Sequence, residues 1–484
     1  DAGVPLPCQD LAAEGIVVVT VGYRLHLLGF FTLGLISARG NLALLDQYLA
    51  FLWVRDNIGS FGGNPNMITV LGHSAGADSV LHHLASPRAI GLFQRAIIMS
   101  PRDIWKLVDE QRIVDANTLQ RVCREIALSL GCNSKEGQEI LHCMRTRSLA
   151  DILSVYSNSN WTKLMQPVSE SYLPESEQYL PASLLTALSS TKQSTMQVDL
   201  LLGTNDLEAL NYNDENFKEL MKWNASYVTE YINSKAIPDL LQMFNLPRLE
   251  LVGLTRAIRW EYWSNKFRRP DDVNEAVELL ARIETSAKWG AASALLAARL
   301  ARRVSRLYVY RYSQAATIDL YGRQYNFSGA VHGSDLISLL GDALMLQIAR
   351  KPPTANEKIN SALFRRYLSN FVKYGSPENN KNWQSYKAGD AHIYEIREGD
   401  GNHGNGVSKE VKFWLQYLPE LSSLHRKSEQ TEQLTLEKGD ARLRGGVFAM
   451  CGVAVVLLLL LCTSAILLQR QRTRRRFSIS DDTK

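Results

Sequence analysis

Short apolar runs alternate with longer amphipathic stretches through the first hundred residues of the chain. EGIVVVTVGYRL (Glu14–Leu25) is β-branched and apolar on both faces, which predicts a buried strand of a mostly parallel sheet. NLALLDQYLAFLWVRDNIGSFGG places Leu42, Leu45, Leu49, Leu52 and Trp53 at helical spacing and stops at Gly59 and Gly62-Gly63. MITVLG then predicts a second strand, AGADSVLHHLAS a second helix ended by Pro87, and RAIIMS a third strand from Arg95 to Ser100. Strands and helices of these lengths in this order specify βαβ units with right-handed crossovers.

Further along, a helical, cysteine-bearing stretch (Leu119–Leu149) precedes two apolar strands, VDLLLGTN and SRLYVYRYS. A long helical segment, 214–300, separates them. Ser361–Tyr374 reads as an amphipathic helix and HIYEI as a last short strand, with no internal repeat. The pattern predicts one α/β domain over 1–421. Residues 422–446 turn polar and charged and read as a stalk.

The stalk leads into VFAMCGVAVVLLLLLCTSAILL (447–468), 22 residues without a charge. That length crosses a bilayer core of roughly 30 Å at about 1.5 Å per residue. Five arginines follow in the seven residues 470–476, a signal that places the short tail (469–484) in the cytosol and the large domain outside. The expected location is therefore the plasma membrane, in single-pass form. The formal charge of +5 is carried almost wholly by this tail, so the body offers no basic field for nucleic acid.

An extracellular domain is oxidising. Cys132 and Cys143 would close a short loop as a disulfide, while Cys8 has two alternatives, Cys123 or a cysteine outside this sequence. Three sequons, at Asn160, Asn224 and Asn326, agree with a secretory route. The chain begins on Asp1 rather than Met, with no signal peptide ahead of it, and reads as part of a longer product.

Candidate chemistry centres on Gly72-His73-Ser74-Ala75-Gly76, set between the strand MITVL and the helix that follows. A strand, a sharp turn of small residues and a helix lift a serine hydroxyl clear of the backbone, making Ser74 a candidate nucleophile. The amide of Ala75, at the helix N-terminus, can donate to an oxyanion. A serine needs a histidine to take its proton and a carboxylate to hold that histidine. Of nine histidines, His82 and His83 lie on the following helix, and His26, His142, His392, His403 and His425 lack an interpretable context. His332 sits in a late loop between Gly329 and Gly333, as the order Ser…acid…His requires, and the strand end VDLLLGTNDLEAL offers Asp206 or Glu208 as the acid.

Over Glu14–Leu421 the chain resembles the cholinesterase/carboxylesterase family of α/β hydrolases. The matching blocks, in order, are IVVVTVGYRLHLLGFF, NLALLDQ, WVRDNIGSFGGNPNMITVLGHSAG, PVSESYLP (Pro167–Pro174), GTNDLEA, VHGSDL, NFVKYGSP and FWLQYLPEL. The resemblance implies an α/β-hydrolase fold, Ser74 as nucleophile, His332 as base, an ester substrate, and neither metal nor cofactor. The family's acid lies in a G-x-N-x-x-E pattern, so the resemblance ranks Glu208 above Asp206. It also makes Trp105 a wall of the acyl pocket, with core packing the alternative, and it admits a homodimer.

Three departures qualify the likeness. The family's glycine-rich oxyanion segment would lie upstream of residue 14, where PLPCQDLAAEG has no counterpart. The resemblance thus implies that two of three oxyanion donors and the early aromatic wall belong to polypeptide outside this sequence. His73 replaces a glutamate that helps cholinesterases hold a cationic substrate, which argues against acetylcholine. Ala209 replaces a glycine. The family also contains catalytically dead adhesion proteins, such as the neuroligins, gliotactin and neurotactin. The anchor and tail suit that branch and a cell-surface protein partner; the intact Ser74, Glu208 and His332 suit a membrane-anchored esterase.

Overall fold

A computed structural model describes residues 6–479 except 110–111, 158–160, 162–163, 191–195, 211–214, 247–250, 264–271, 316, 379–382, 389–391 and 398–407. The chain divides into two compact units, 1–417 and 418–484.

In the first unit two short helices, Gln9–Ala12 and His26–Phe30, come before an antiparallel pair, β1 (Thr32–Leu35) and β2 (Ala38–Arg39). Its centre is a five-stranded parallel sheet: β3 (Thr69–His73), β4 (Arg95–Met99), β5 (Met196–Asn205), β6 (Val304–Tyr312) and β7 (Tyr394–Ile396), hydrogen-bonded in that order. Side chains alternate across it, as a period of two demands. Ala96, Ile98, Leu200, Leu202, Leu307 and Val309 face one core, packed by α1 (Leu42–Asn57), α2 (Ala75–Ala85) and, later in the chain, helix Ala292–Leu300. Ile97, Met99, Leu201, Tyr308, Tyr310 and Tyr312 face the other. Covering both faces is what makes these strands read as unbroken apolar runs.

A side lobe holds α3 (Ala116–Ser129) and α4 (Gly137–Arg145). Asp115 caps α3 by accepting from the Thr118 amide at 3.0 Å, worth about 1 kcal/mol. The expected disulfide joins Cys132 to Cys143. Cys8 and Cys123 are not bonded to each other. Cys123 is buried in the side lobe, accepting from the Thr32 amide at 3.3 Å, whereas Cys8 packs against a separate apolar cluster around Ile337 and Leu344.

Among the further helices of this unit are α5 (Ala292–Leu300), α6 (Ser334–Ala349) and α7 (Ala355–Tyr374). Thr354 and Glu357 form a reciprocal capping box that starts α7. The helical reading of 214–300 holds for its described residues.

One expectation fails. Glu14–Leu25 belongs to no strand, and Val17, Val19 and Leu25 are exposed. A β-branched run becomes a strand only when a neighbour accepts its ladder, and among the described residues none pairs with it. Instead Arg24 ties the segment to α1, donating from Nε and Nη2 to Asp46 at 2.8 and 2.7 Å.

The second unit is one helix, α8 (Leu418–Ile479), so the polar 422–446 stretch is helical. Within it Leu443–Thr473 holds an 18-residue stretch of mean hydropathy 2.8 that is not buried against protein, long and apolar enough to cross a bilayer.

Candidate active site

Parallel strands deliver their loops to one edge of the sheet, and the candidate residues gather at the C-terminal ends of β3 and β5 and in the loop after β6. Ser74 occupies the turn between β3 and α2 with φ 55° and ψ −123°, outside the ordinary regions for a non-glycine residue. Its amide donates to Met99 O at 3.0 Å, and its carbonyl accepts from Ala77 and Asp78, so the turn is held from strand and helix together. Such a conformation costs on the order of 1–3 kcal/mol and persists only when its surroundings fix it.

The flanking glycines differ in what they permit. A Cβ on Gly72 would lie 2.2 Å from Gly76 O, so the missing side chain is what lets α2 start against β3. A Cβ on Gly76 would meet nothing within 4 Å. Ala75, the first helical residue, is exposed and its amide stands in the first turn, where helix N–H groups have no intrahelical partner.

His332 is brought to the serine by two short ties. Leu207 and Val331 form an isolated parallel bridge, the Leu207 amide donating to Ala330 O at 2.9 Å. Asp206 Oδ1 accepts from the Ala330 amide at 2.7 Å. The rival carboxylate therefore pins the histidine loop. Burial raises Asp206 to about 6, against the pull of the Arg311 guanidinium. The carboxylate that reaches His332 is Glu208: His332 Nδ1 lies 2.6 Å from Glu208 Oε2, and His332 Nε2 lies 3.1 Å from Ser74 Oγ. Burial alone would lower the pKa of His332. The charge and hydrogen bond of Glu208, with Asp335 behind it, outweigh burial and hold the imidazole above its ordinary 6.5.

Sequence reasoning missed the layer beneath. The Asn205 amide donates to Glu208 Oε1 at 2.6 Å, and Asn205 Nδ2 stands 3.1 Å from Asp335 Oδ1 and from Ser100 Oγ. Tyr310 donates from its hydroxyl to Asp335 Oδ2 at 2.9 Å. Its ring can lie there because β5 has no side chain at Gly203, whose Cβ would fall 1.8 Å from Tyr310 Cζ. Asn205 and Asp335 stand inside GTNDLEA and VHGSDL, yet nothing in their local spacing says that they meet. Asp335 is fully buried, and burial with the Glu208 charge raises it to about 6, against hydrogen bonds from Asn205 and Tyr310.

His73 points into the same layer. Its ring centroid is 4.9 Å from that of His332, and its Nε2 is 3.9 Å from Asp335 Oδ1, too far for a hydrogen bond. Burial, reinforced by the charge of His332, holds His73 well below 6.5. Trp105 donates from Nε1 to Ala287 O at 3.3 Å, meets Phe244 edge-on, and packs partly against the central core. Asn224 and Asn326 are exposed, and Asn224 also caps a helix through Tyr227 N; Asn160 lies outside the described residues.

A parallel sheet covered on both faces, with a strained serine, a histidine and a buried glutamate converging at its C-terminal edge, defines an α/β hydrolase. Residues 4–414 match the carboxylesterase family, and the chain belongs to it. Carboxylesterase 1C of Rattus norvegicus is 28% identical over 413 residues, 84% of this chain and 69% of that protein. Pyrethroid hydrolase Ces2a of Mus musculus is 27% identical over 413 residues, covering 84% and 68% respectively. A shorter match, 39% identical over 170 residues, is to the acylcarnitine hydrolase of Mus musculus, covering 35% of this chain and 29% of that one.

Proposed function

We propose that this chain is a serine carboxylic-ester hydrolase, anchored by one span within Leu443–Thr473, with its hydrolase domain outside the cytosol. The observation that carries the reading is the continuous relay from Ser74 Oγ through His332 to Glu208. Ser74 Oγ attacks the ester carbonyl while His332 Nε2 takes its proton. Glu208 holds the Nδ1–H tautomer and offsets the charge of the imidazolium. The Ala75 amide donates to the oxyanion, which collapses as His332 returns the proton to the departing alcohol and leaves an acyl-enzyme. Water then deacylates Ser74 by the same proton route.

Anchoring is supported by the apolar run and the five arginines after it, and the outside location by the Cys132–Cys143 disulfide and the exposed sequons at Asn224 and Asn326. The deciding experiment labels the full chain in membranes with a fluorophosphonate, beside Ser74→Ala and His332→Ala. Labelling that both variants abolish, with resistance to carbonate extraction that a chain ending at residue 442 lacks, is the expected result. A folded, membrane-borne chain that takes no label would overturn the enzyme reading and turn the search to surface partners.

A further inference from the structure

One cavity in the first unit is lined by none of Ser74, His332 and Glu208. It holds about 420 Å³ and lies along α2, with the loop 103–107, the start of α3 and the segments 166–172 and 180–185 closing it. Its walls are mainly apolar, including Leu107, Val114, Val168 and Leu184. That size and lining are those of small-molecule sites.

Two polar atoms in it have no partner. Asp78 and His82 stand four residues apart on α2, so both side chains project from one face of the helix. Asp78 Oδ2 accepts from the Asp103 amide at 3.2 Å, but Asp78 Oδ1 is buried without a hydrogen bond, as is His82 Nδ1. Several other polar groups nearby are satisfied within the protein. Lys106 Nζ donates to Asp103 Oδ2 at 3.0 Å and to Gln166 Oε1 at 2.9 Å, Asp115 caps α3, and Ser169 Oγ donates to Pro181 O. A buried polar atom left unpaired is costly, and a ligand that satisfies it gains accordingly.

We infer that this cavity is a second ligand site, taking a small amphiphile whose protonated amine donates to Asp78 Oδ1 and whose hydrocarbon body fills the apolar walls. Charge selects the amine. Among the described residues that line the cavity, Asp78, Asp103 and Asp115 face one cation, Lys106, which is already paired with Asp103; Arg102, outside the lining, pulls on Asp78 without offsetting its burial. A carboxylate or phosphate would meet Asp78 unfavourably, and a neutral donor would leave its charge uncompensated. Burial first, then the charge of Asp103, raises the Asp78 carboxyl to about 7, outweighing hydrogen bonds from the Asp103 and Arg102 amides and the pull of the Arg102 guanidinium. The amine adds a cation in direct contact with Oδ1. Nothing in the site depends on ester hydrolysis; its wall meets the hydrolytic centre through the first turn of α2, where Asp78 N donates to Ser74 O at 3.2 Å, and Arg102 acts on both Asp78 and His332.

The probe is 2-phenylethylamine, with 2-phenylethanol as its neutral match, titrated by calorimetry against the full chain in detergent. Saturable amine binding is expected, about tenfold weaker or more in Asp78→Asn. It should also be lost in Ala182→Phe, which fills the cavity from the wall facing α2, with thermal melts showing both variants folded. Binding should persist after Ser74 is blocked by a fluorophosphonate; if the serine takes no label, the comparison with Asp78→Asn still reads the site. Absence of saturable binding, equal affinity for the alcohol, equal affinity in Asp78→Asn, or displacement by the blocked serine would each overturn the assignment.

Discussion

The imidazole of His73 lies 4.9 Å from that of His332, and burial depresses both, yet Glu208, hydrogen-bonded to His332, divides their proton affinities. His332, paired with Glu208, is held above 6.5, while His73, with no hydrogen bond to Nε2, is held well below it. Only a neutral His332 can accept the serine proton, so kcat/KM should rise with pH along an acid limb inflecting above 6.5. One proton should govern that limb, since His73 is already neutral there. A two-proton slope in the pH–rate profile would contradict the assignment.

Glu208→Gln should lower kcat by about 10³–10⁴-fold, because glutamine neither fixes the tautomer nor offsets the imidazolium. Its residual acid limb should also move down in pH, since the largest influence raising His332 has gone. Asp206→Asn should leave both readouts much closer to wild type, because Asp206 holds the Ala330 amide rather than the imidazole. Steady-state profiles of the two variants separate the carboxylates.

The glycines of the serine turn should not be equivalent. Gly72→Ala forces a Cβ to 2.2 Å from Gly76 O, backbone against backbone, and should cost about 3 kcal/mol or more, read as a lowered Tm. Gly76→Ala meets open space and should stay within about 0.5 kcal/mol of wild type.

Asp78 carries a pH signature of its own. Its carboxyl is raised from 3.8 to about 7 in the folded chain, so the unfolded chain releases the proton first as pH rises. Stability contributed by this group is complete below 3.8 and is lost as pH climbs through about 7. Asp78→Asn should therefore be more stable than wild type at pH 8, by on the order of 4 kcal/mol, with the gap closing by about 1.4 kcal/mol per pH unit below about 7. Melts at pH 5 and pH 8 measure it.

Cys143→Ser opens the loop between Cys132 and Cys143 and should destabilise the side lobe by about 2–4 kcal/mol. The loss should be matched by reductant in the wild type and absent from the variant under the same treatment.

Much of this molecule was legible in one dimension because its chemistry is local. β3, β4, β5 and β6 are covered on both faces, which leaves apolar runs at the predicted places. The serine turn is written in contiguous residues, since a strand, a close-approach glycine and a helix start must follow one another along the chain. The apolar run after residue 446 is equally plain, because bilayer thickness fixes its length.

What failed, or stayed open, depended on partners. Glu14–Leu25 has the composition of a strand, but composition cannot supply the ladder that would make it one. Asp206 and Glu208 are two residues apart and equally placed by the strand that carries them. Their roles separate only because the bridge from Leu207 to Val331 turns one carboxylate to a backbone amide and the other to an imidazole. The resemblance had ranked them; the geometry gives the cause. Cys8 and Cys123 were compatible as a pair until folding placed them in separate clusters. Asn205, Asp335 and Tyr310 come from β5, α6 and β6 and meet through a gap left by Gly203, a contact that no spacing encodes. Sequence by itself determined β3 to β6, the serine turn and the membrane-length run, each specified by neighbours a few residues away. Tertiary structure alone decided which carboxylate serves the histidine, which cysteines stay free, and that Asp78 Oδ1 and His82 Nδ1 are left without a hydrogen bond, because each depends on groups scores or hundreds of residues distant.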